Sequence, residues 1–492
     1  MPERPAQSNI VDSQGLHRQR DSAFTGKQHI APDTRQQTIM PRELLINAFH
    51  MNCIGHQSPG LWTHPRDTSR HYNTLAYWTD LAKTLERGLI DGIFLADVLG
   101  VYDVYAGTPD AALRAAIQVP VNDPSLVIPA MAMVTEHLGF GVTCTLSFEP
   151  PYTFARRMTT LDHLTGGRIG WNVVTGYLNS AAQGMGQKQQ TTHDLRYEMA
   201  EDYMQVVYKL WEGSWEDGAV LANQQTGIFA DPAKVHRMRH DGPYYQLDAI
   251  HICEPSPQRT PVLYQAGASP KGREFAAAHA ECLFIAGPSQ QTIKSYVADM
   301  RQRAVAAGRA VGDLKIFSLA TPIVGDTHAA AEEKLAEYRR YVSSEGALAL
   351  LSGWLGVDLS ELDPNEPLGE VKTEAIQSAV ESLTKGGADR QWTVRQLAEY
   401  AGIGGRSPLF VGTAAGVAEQ MIAWADDTGV DGFNLAYAVM PETFEDLADK
   451  VVPELQARGR FKTAYRDGTL REKLFGRRRL AANHPAAAVR IG

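Results

Sequence analysis

The chain has 492 residues, 44% hydrophobic and 21% charged, the balance of an ordinary globular protein with enough apolar mass for a large core. Its formal net charge of −9 argues against nucleic acid or an anionic membrane as a partner, since either needs a basic face. No stretch approaches the ~20 apolar residues that span a bilayer, and Cys53, Cys144, Cys253 and Cys282 lie far apart without CxxC spacing, so a reducing cytoplasm suits the chain better than a disulfide framework or a zinc ribbon.

Residues 1–40 are rich in Gln, Arg, Ser and Pro, lack the apolar core of a signal peptide and are expected to form a flexible tail, with Met40 as an alternative start. From there on, short apolar runs alternate with amphipathic stretches, the pattern of a parallel sheet wrapped by helices. Leu44–Phe49 is the first strand. Leu75, Trp78, Ala82, Leu85 and Leu89 recur at helical spacing over 74–87, with Asn73 as the cap and Gly88 as the stop. Ile90–Ala96 is the second strand, and Asp123-Pro124 opens a helix in the favoured order of cap and first-turn proline. Gly139–Phe148 and Arg168–Val174 are strands flanking a helix over 152–164. A long helix follows over 193–211, with Leu195, Met199, Tyr203, Val207 and Leu210 as its apolar stripe.

Residues 213–259 break the rhythm with scattered Gly, Asp and Pro and are read as an insertion. Strands resume at Pro261–Ala266, Cys282–Ala286 and Lys315–Val324, a second insertion spans about 342–408, and Asp431–Leu435 and a helix over 443–457 close the pattern. Arg477, Arg478 and Arg479 read as a solvated face, and 481–492 as a tail behind a single domain spanning 41–480. Eight strand–helix units predict an α/β fold, a closed (β/α)₈ barrel, whose functional residues lie just after the strands.

Asp97 ends the second strand and Thr143 lies within the third, so both can face the barrel mouth. His193 and Tyr197, four apart at a helix start, share one face near the positive end of the helix dipole. Gly267-Ala-Ser-Pro-Lys-Gly272 has P-loop-like spacing, but Arg273 stands where an NTPase needs Lys, so it is no NTPase loop. Its Ser269 could help to hold a phosphate at a helix N-terminus, and an ordinary tight turn accounts for the spacing equally well. His50, Cys53, His56 and His64 follow no zinc spacing, so no metal is expected, and their place after the first strand suits a substrate pocket. HExxH, GxSxG and GxGxxG are all missing from the sequence.

Together, Asn47-Ala-Phe49, Phe94-Leu-Ala-Asp97, Val134-Thr-Glu-His-Leu-Gly-Phe-Gly141, Leu161-Asp-His-Leu-Thr-Gly-Gly-Arg168, Trp171-Asn-Val-Val174, His193-Asp-Leu-Arg-Tyr197, Phe229-Ala-Asp-Pro-Ala-Lys-Val-His236, Gln265-Ala-Gly-Ala-Ser269 and Val430-Asp-Gly-Phe-Asn434 resemble the bacterial-luciferase-like monooxygenases. The likeness is to the branch acting on nitrilotriacetate, dibenzothiophene sulfone and dimethyl sulfide, and it runs from residue 42 to about 480. It implies a TIM barrel of the luciferase type and an enzyme that takes FMN as FMNH₂ from a separate NAD(P)H:flavin oxidoreductase and transfers one oxygen atom of O₂ to a small molecule. By the same resemblance, Asp97, Thr143, His193, Tyr197 and Ser269 contact FMN. Phe49, His50 and His56 line the substrate pocket, and no catalytic acid or base is named.

The stretches Asp97–Tyr105, Gln118–Pro124 and His251–Thr260 most resemble the members acting on dimethyl sulfide, which implies a small organosulfur substrate and C–S cleavage. A homo-oligomer is expected. Alternatives are an aminopolycarboxylate or a sulfone as substrate, a deazaflavin-dependent dehydrogenase on the same barrel, or a flavin-binding relative without turnover.

Overall fold

The computed structural model describes residues 42–267, 269–287, 289–366 and 392–491; the expectations for 1–40 and for part of the second insertion lie outside the described residues. Eight parallel strands form a closed barrel: β1 (Leu45–Met51), β2 (Gly92–Ala96), β3 (Gly139–Thr145), β4 (Ile169–Val174), β9 (Val262–Gln265), β10 (Cys282–Ile285), β11 (Lys315–Val324) and β13 (Gly432–Leu435). Hydrogen bonding runs β10-β9-β4-β3-β2-β1-β13-β11, and β11 returns to β10 to close the ring. The structure is therefore a (β/α)₈ barrel. Short strands buried on both faces can satisfy their backbone only by such closure.

Two hairpins, β5–β6 (Val220–Asn223 with Ile228–Ala230) and β7–β8 (Met238–Asp241 with Gln246–Ala249), occupy the stretch between β4 and β9. A short strand, β12 (Leu409–Gly412), extends the outer half of β11. Helix Leu75–Arg87 is capped by Thr74, whose hydroxyl accepts from Tyr77 N, and not by Asn73, because the helix starts one residue later. Along helix His193–Tyr208 the buried face in the first turns is Arg196 and Ala200, with Leu195 and Met199 only half-buried; Tyr203 and Val207 are buried.

Side chains alternate across the strands. Ile46 and Ala48 face the helices, while Phe94, Tyr264, Phe284 and Phe317 fill the interior. The Phe94 and Phe284 rings lie 4.1 Å apart, and Tyr264 stacks on Phe284 at 5.3 Å. Glycine makes room for them: a Cβ on Gly170 would strike the Tyr264 ring, and one on Gly141 would come within 3.0 Å of Phe94.

The last segment closes the end of the barrel where the strands begin. Leu470 and Leu474 join the interior cluster, and a Cβ on Gly139 would strike Leu470 at 2.6 Å. Arg471, fully buried, donates to both oxygens of Glu281 at 2.8 and 2.9 Å and to the Thr260 and Pro261 carbonyls at 2.9 Å.

The arginine run that follows is only partly a solvated face: Arg478 is exposed, but its neighbours are half-buried and paired. Arg477 pairs with Asp313 at 2.7 Å and Arg479 with Glu212 at 2.8 Å, where Arg490 also binds. Burial pushes the Glu212 carboxyl up, but these two arginines outweigh it and hold the pKa at about 2. Beyond Leu480, read from the sequence as a tail, His484 is buried and bonds the His279 carbonyl at 2.9 Å.

Removing one partner of a buried pair leaves the other charge stranded. Arg471→Met should cost about 3–5 kcal/mol by urea unfolding, most of it recovered when Glu281→Leu is added. A loss under about 1 kcal/mol would show that the pair does not hold the plug in place.

Candidate active site

Where β9 gives way to helix Pro270–His279, Ser269 caps the helix by accepting from Gly272 N at 3.1 Å. His193, the first residue of its own helix and 76 residues away in sequence, places Nε2 3.1 Å from the Ser269 hydroxyl. Tyr197, one turn on, sets its ring 5.1 Å from His193. Its hydroxyl lies against the turn so closely that a Cβ on either Gly267 or Gly272 would approach it to 2.7 Å. Burial raises the Tyr197 pKa, so the phenol keeps its proton and can donate. Gln265 accepts from Gly267 N at 2.7 Å, and Tyr296 donates to the Gly267 carbonyl at 2.9 Å, fixing the turn from both sides.

The fold thus brings His193, Tyr197 and Ser269 together at a helix N-terminus, between glycines with room for nothing larger. That set of side-chain hydrogen-bonding groups at the positive end of a helix suits a phosphate.

Thr143 lies on β3 and accepts from Asn172 Nδ2 of β4 at 2.9 Å. Asn172 Oδ1 is buried with no hydrogen-bond partner among the described residues. This is an open acceptor at the mouth, and sequence reasoning missed it. The period-two pattern of Arg168–Val174, which puts Asn172 on the inner face with Gly170, was the available signal.

Asp97, the first residue after β2, is half-buried; burial, with Asp123 adding to it, pushes its pKa up to about 7. Asp123 caps the turn at Pro124 by accepting from Ser125 N.

Phe49 points inward from β1 and meets His56 edge-on at 4.4 Å. The Gln57 amide donates to His56 Nε2 at 3.3 Å, which leaves the ring proton on Nδ1, buried and without a partner among the described residues. Burial, helped by His50, holds the His56 pKa well below its usual value, so the ring is neutral.

His50 points the other way, into the helix layer. Met51 N donates to its Nδ1 at 2.8 Å, its Nε2 bonds Tyr77 at 2.7 Å, and Trp78 packs on it at 5.0 Å. A one-residue step along a strand reverses the face, so Phe49 points inward while His50 packs among Tyr77, Trp78 and Tyr437. Cys53 is buried and His64 sits against Tyr338 and Tyr341. Among the described residues no group of three His, Cys, Asp or Glu could hold a metal, and no helix is long and apolar enough to cross a membrane.

The raised Asp97 pKa gives a pH test. An unfolded aspartate is ionised above about pH 4, whereas the folded chain keeps this proton to about pH 7. Between those values the native state holds the extra proton, so the contribution of Asp97 to stability falls as pH rises. The melting temperature of Asp97→Asn relative to the parent should therefore climb between about pH 5 and about pH 8. A difference that stays flat over that range would mean Asp97 ionises normally.

A family model described as luciferase-like monooxygenase matches residues 48–432. The chain is 52% identical to the dimethyl-sulfide monooxygenase of Hyphomicrobium sulfonivorans, covering 92% of this chain and 94% of that one. It is 48% identical to the long-chain alkane monooxygenase of Geobacillus thermodenitrificans, covering 92% and 99%. The crystal structure of the Hyphomicrobium enzyme matches with a TM-score of 0.85 over 91% of this chain and 96% of that one. A riboflavin lyase solved with modified FMN and riboflavin matches at 0.86 and 37% identity, over 92% and 100%. The chain belongs to the luciferase-like monooxygenase family and is a flavin-dependent monooxygenase.

Proposed function

We propose that the protein takes FMNH₂ from a separate NAD(P)H:flavin oxidoreductase and, with O₂, oxygenates a small organosulfur compound such as dimethyl sulfide, cleaving a C–S bond. The observation that carries the flavin part is the cradle of His193, Tyr197 and Ser269, with its capped helix end and its two glycines. The sequence has no GxGxxG turn for a nicotinamide dinucleotide of its own, in keeping with an external reductase. The 52% identical relative named for dimethyl sulfide supports the substrate class.

In this reading, His193, Tyr197 and Ser269 hold the FMN phosphate, while Asp97 and Thr143 lie nearer the ring. When bound, reduced FMN supplies the two electrons that turn one atom of O₂ into water as the other enters the substrate. Asn172 orients Thr143 and offers Oδ1 as an acceptor. Asp97 holds or releases a proton near neutral pH. Phe49 and neutral His56 give the sulfide an apolar wall and keep water away, which favours oxygen transfer over wasteful flavin oxidation. Hydroxylation of the carbon beside sulfur gives a hemithioacetal, which collapses to a thiol and an aldehyde without further help.

Anaerobic equilibrium dialysis tests the cradle. Ser269→Ala and His193→Ala should each weaken FMNH₂ binding about tenfold, the worth of one hydrogen bond to a charged group. Unchanged affinity in both variants would remove the site. With reductase, NADH and dimethyl sulfide, each O₂ consumed in coupled turnover should release one methanethiol and one formaldehyde. Oxygen uptake that never yields thiol would refute the substrate assignment.

A further inference from the structure

The stretch after helix Val394–Ala401 carries Arg406 into an aromatic frame. Its guanidinium carbon lies 5.1 Å from the Trp354 ring centre, and Tyr400, Tyr177 and Tyr102 are the groups that act on its charge. Burial lowers its pKa, yet arginine stays charged at any pH at which the protein folds. The side chain keeps part of its surface open.

Among the described residues no carboxylate pairs with Arg406 and no acceptor takes its N–H groups. Buried arginines of this chain behave differently. Arg471 is bound by Glu281 and two carbonyls, Arg168 by the Thr165, Leu138 and Ala132 carbonyls, and Arg309 by those of Ala277, Ala280 and Asp313. A half-buried guanidinium whose N–H groups meet no protein acceptor is free to take one from outside.

Two of the neighbouring hydroxyls are committed to a chain of their own, while the Tyr400 hydroxyl is buried without a hydrogen-bond partner among the described residues. Gln118 Nε2 donates to the His56 carbonyl at 3.0 Å, so its Oε1 accepts from Tyr102 at 2.8 Å. Tyr102 must then accept from Tyr177 at 2.6 Å. That chain commits both phenolic protons and ties the frame to the segment bearing His56.

The loop is also held rigidly over the C-terminal ends of the barrel strands. Ser58 accepts from Gly404 N at 3.1 Å and donates to the Tyr437 carbonyl at 3.0 Å, and Ser407 donates to the Gly404 carbonyl at 2.8 Å. Gly404 and Gly405 have φ of +71° and +69°, and a Cβ on Gly405 would strike the Gln57 amide. The loop that carries Arg406 thus packs on Gln57 and Ser58, the two residues that follow His56.

We propose that Arg406 is a specificity-determining residue that receives an anionic group, a carboxylate or a sulfonate, on the far arm of the organosulfur substrate. This rests on the reading of the barrel mouth as the substrate site and extends the substrate class from dimethyl sulfide, which has no such arm, to sulfides that carry an acid group. The sulfide end lies against Phe49 and His56, and the acid end takes two parallel hydrogen bonds from the guanidinium within an aromatic wall.

Isothermal titration calorimetry on the flavin-free protein tests it, with methylsulfanylacetate, its neutral amide, and methylsulfanylmethanesulfonate as probes. At least one acid should bind tighter than the amide by about tenfold or more; the stronger of the two identifies the group recognised. Arg406→Gln should abolish that preference while leaving amide binding unchanged, and Arg406→Lys should keep part of it. The proposal is overturned if acids and amide bind the parent alike, if the preference survives in Arg406→Gln, or if that variant instead loses affinity for FMNH₂. Because the titration uses no flavin, failure of the FMNH₂ dialysis would overturn the flavin reading without deciding this one.

Discussion

Closure of the barrel is the constraint on which the other features depend. Eight parallel strands, several only four residues long, leave no edge unpaired because β11 returns to β10. Closure makes the interior a narrow space that side chains must fill. Aromatic rings take it up, and glycine on a neighbouring strand gives way to some of them, as Gly170 does for Tyr264. A packed interior and a plug of Leu470 and Leu474 at the end where the strands begin leave the other end as the place for chemistry.

At that end the molecule separates two kinds of surface. One side is a polar turn where Ser269, His193 and Tyr197 surround a helix start. The other is aromatic, where Phe49 and His56 meet and Tyr102 and Trp354 carry the wall outward to Arg406. Burial keeps His56 neutral and lifts the Asp97 pKa to about 7, so His56 brings no charge beside the apolar wall and Asp97 is only partly ionised at neutral pH. Arg406 is the exception, and its isolation from carboxylates makes it chemically informative.

The two irregular stretches have different work. Val220–Ala249 forms hairpins on the outside of the barrel. Helices Ser344–Leu355 and Val394–Ala401 build a second small core with Tyr102, Ala112 and Ile117, which belong to the loop after β2. That core carries the Arg406 loop to the mouth. The C-terminal segment acts at a distance from both, joining strands β9 and β10 through Arg471, Glu281 and the carbonyls beside them.

By itself the sequence determined the repeating strand–helix order, because burial on both faces forces near-continuous apolar runs such as Gly139–Thr145 and Ile169–Val174. It also marked His193 and Tyr197 as sharing one helix face, since i and i+4 must. Only the tertiary structure decided what those residues meet. Helical spacing cannot reveal that His193 comes within 3.1 Å of Ser269, nor that His50 turns to Trp78 while Phe49 turns inward, because strand register is set by pairing across the barrel. The arginine run near the C-terminus looked solvated for the same reason: its partners Asp313 and Glu212 are more than a hundred residues away, and charge pairing at that range is written in the fold and not in the local pattern.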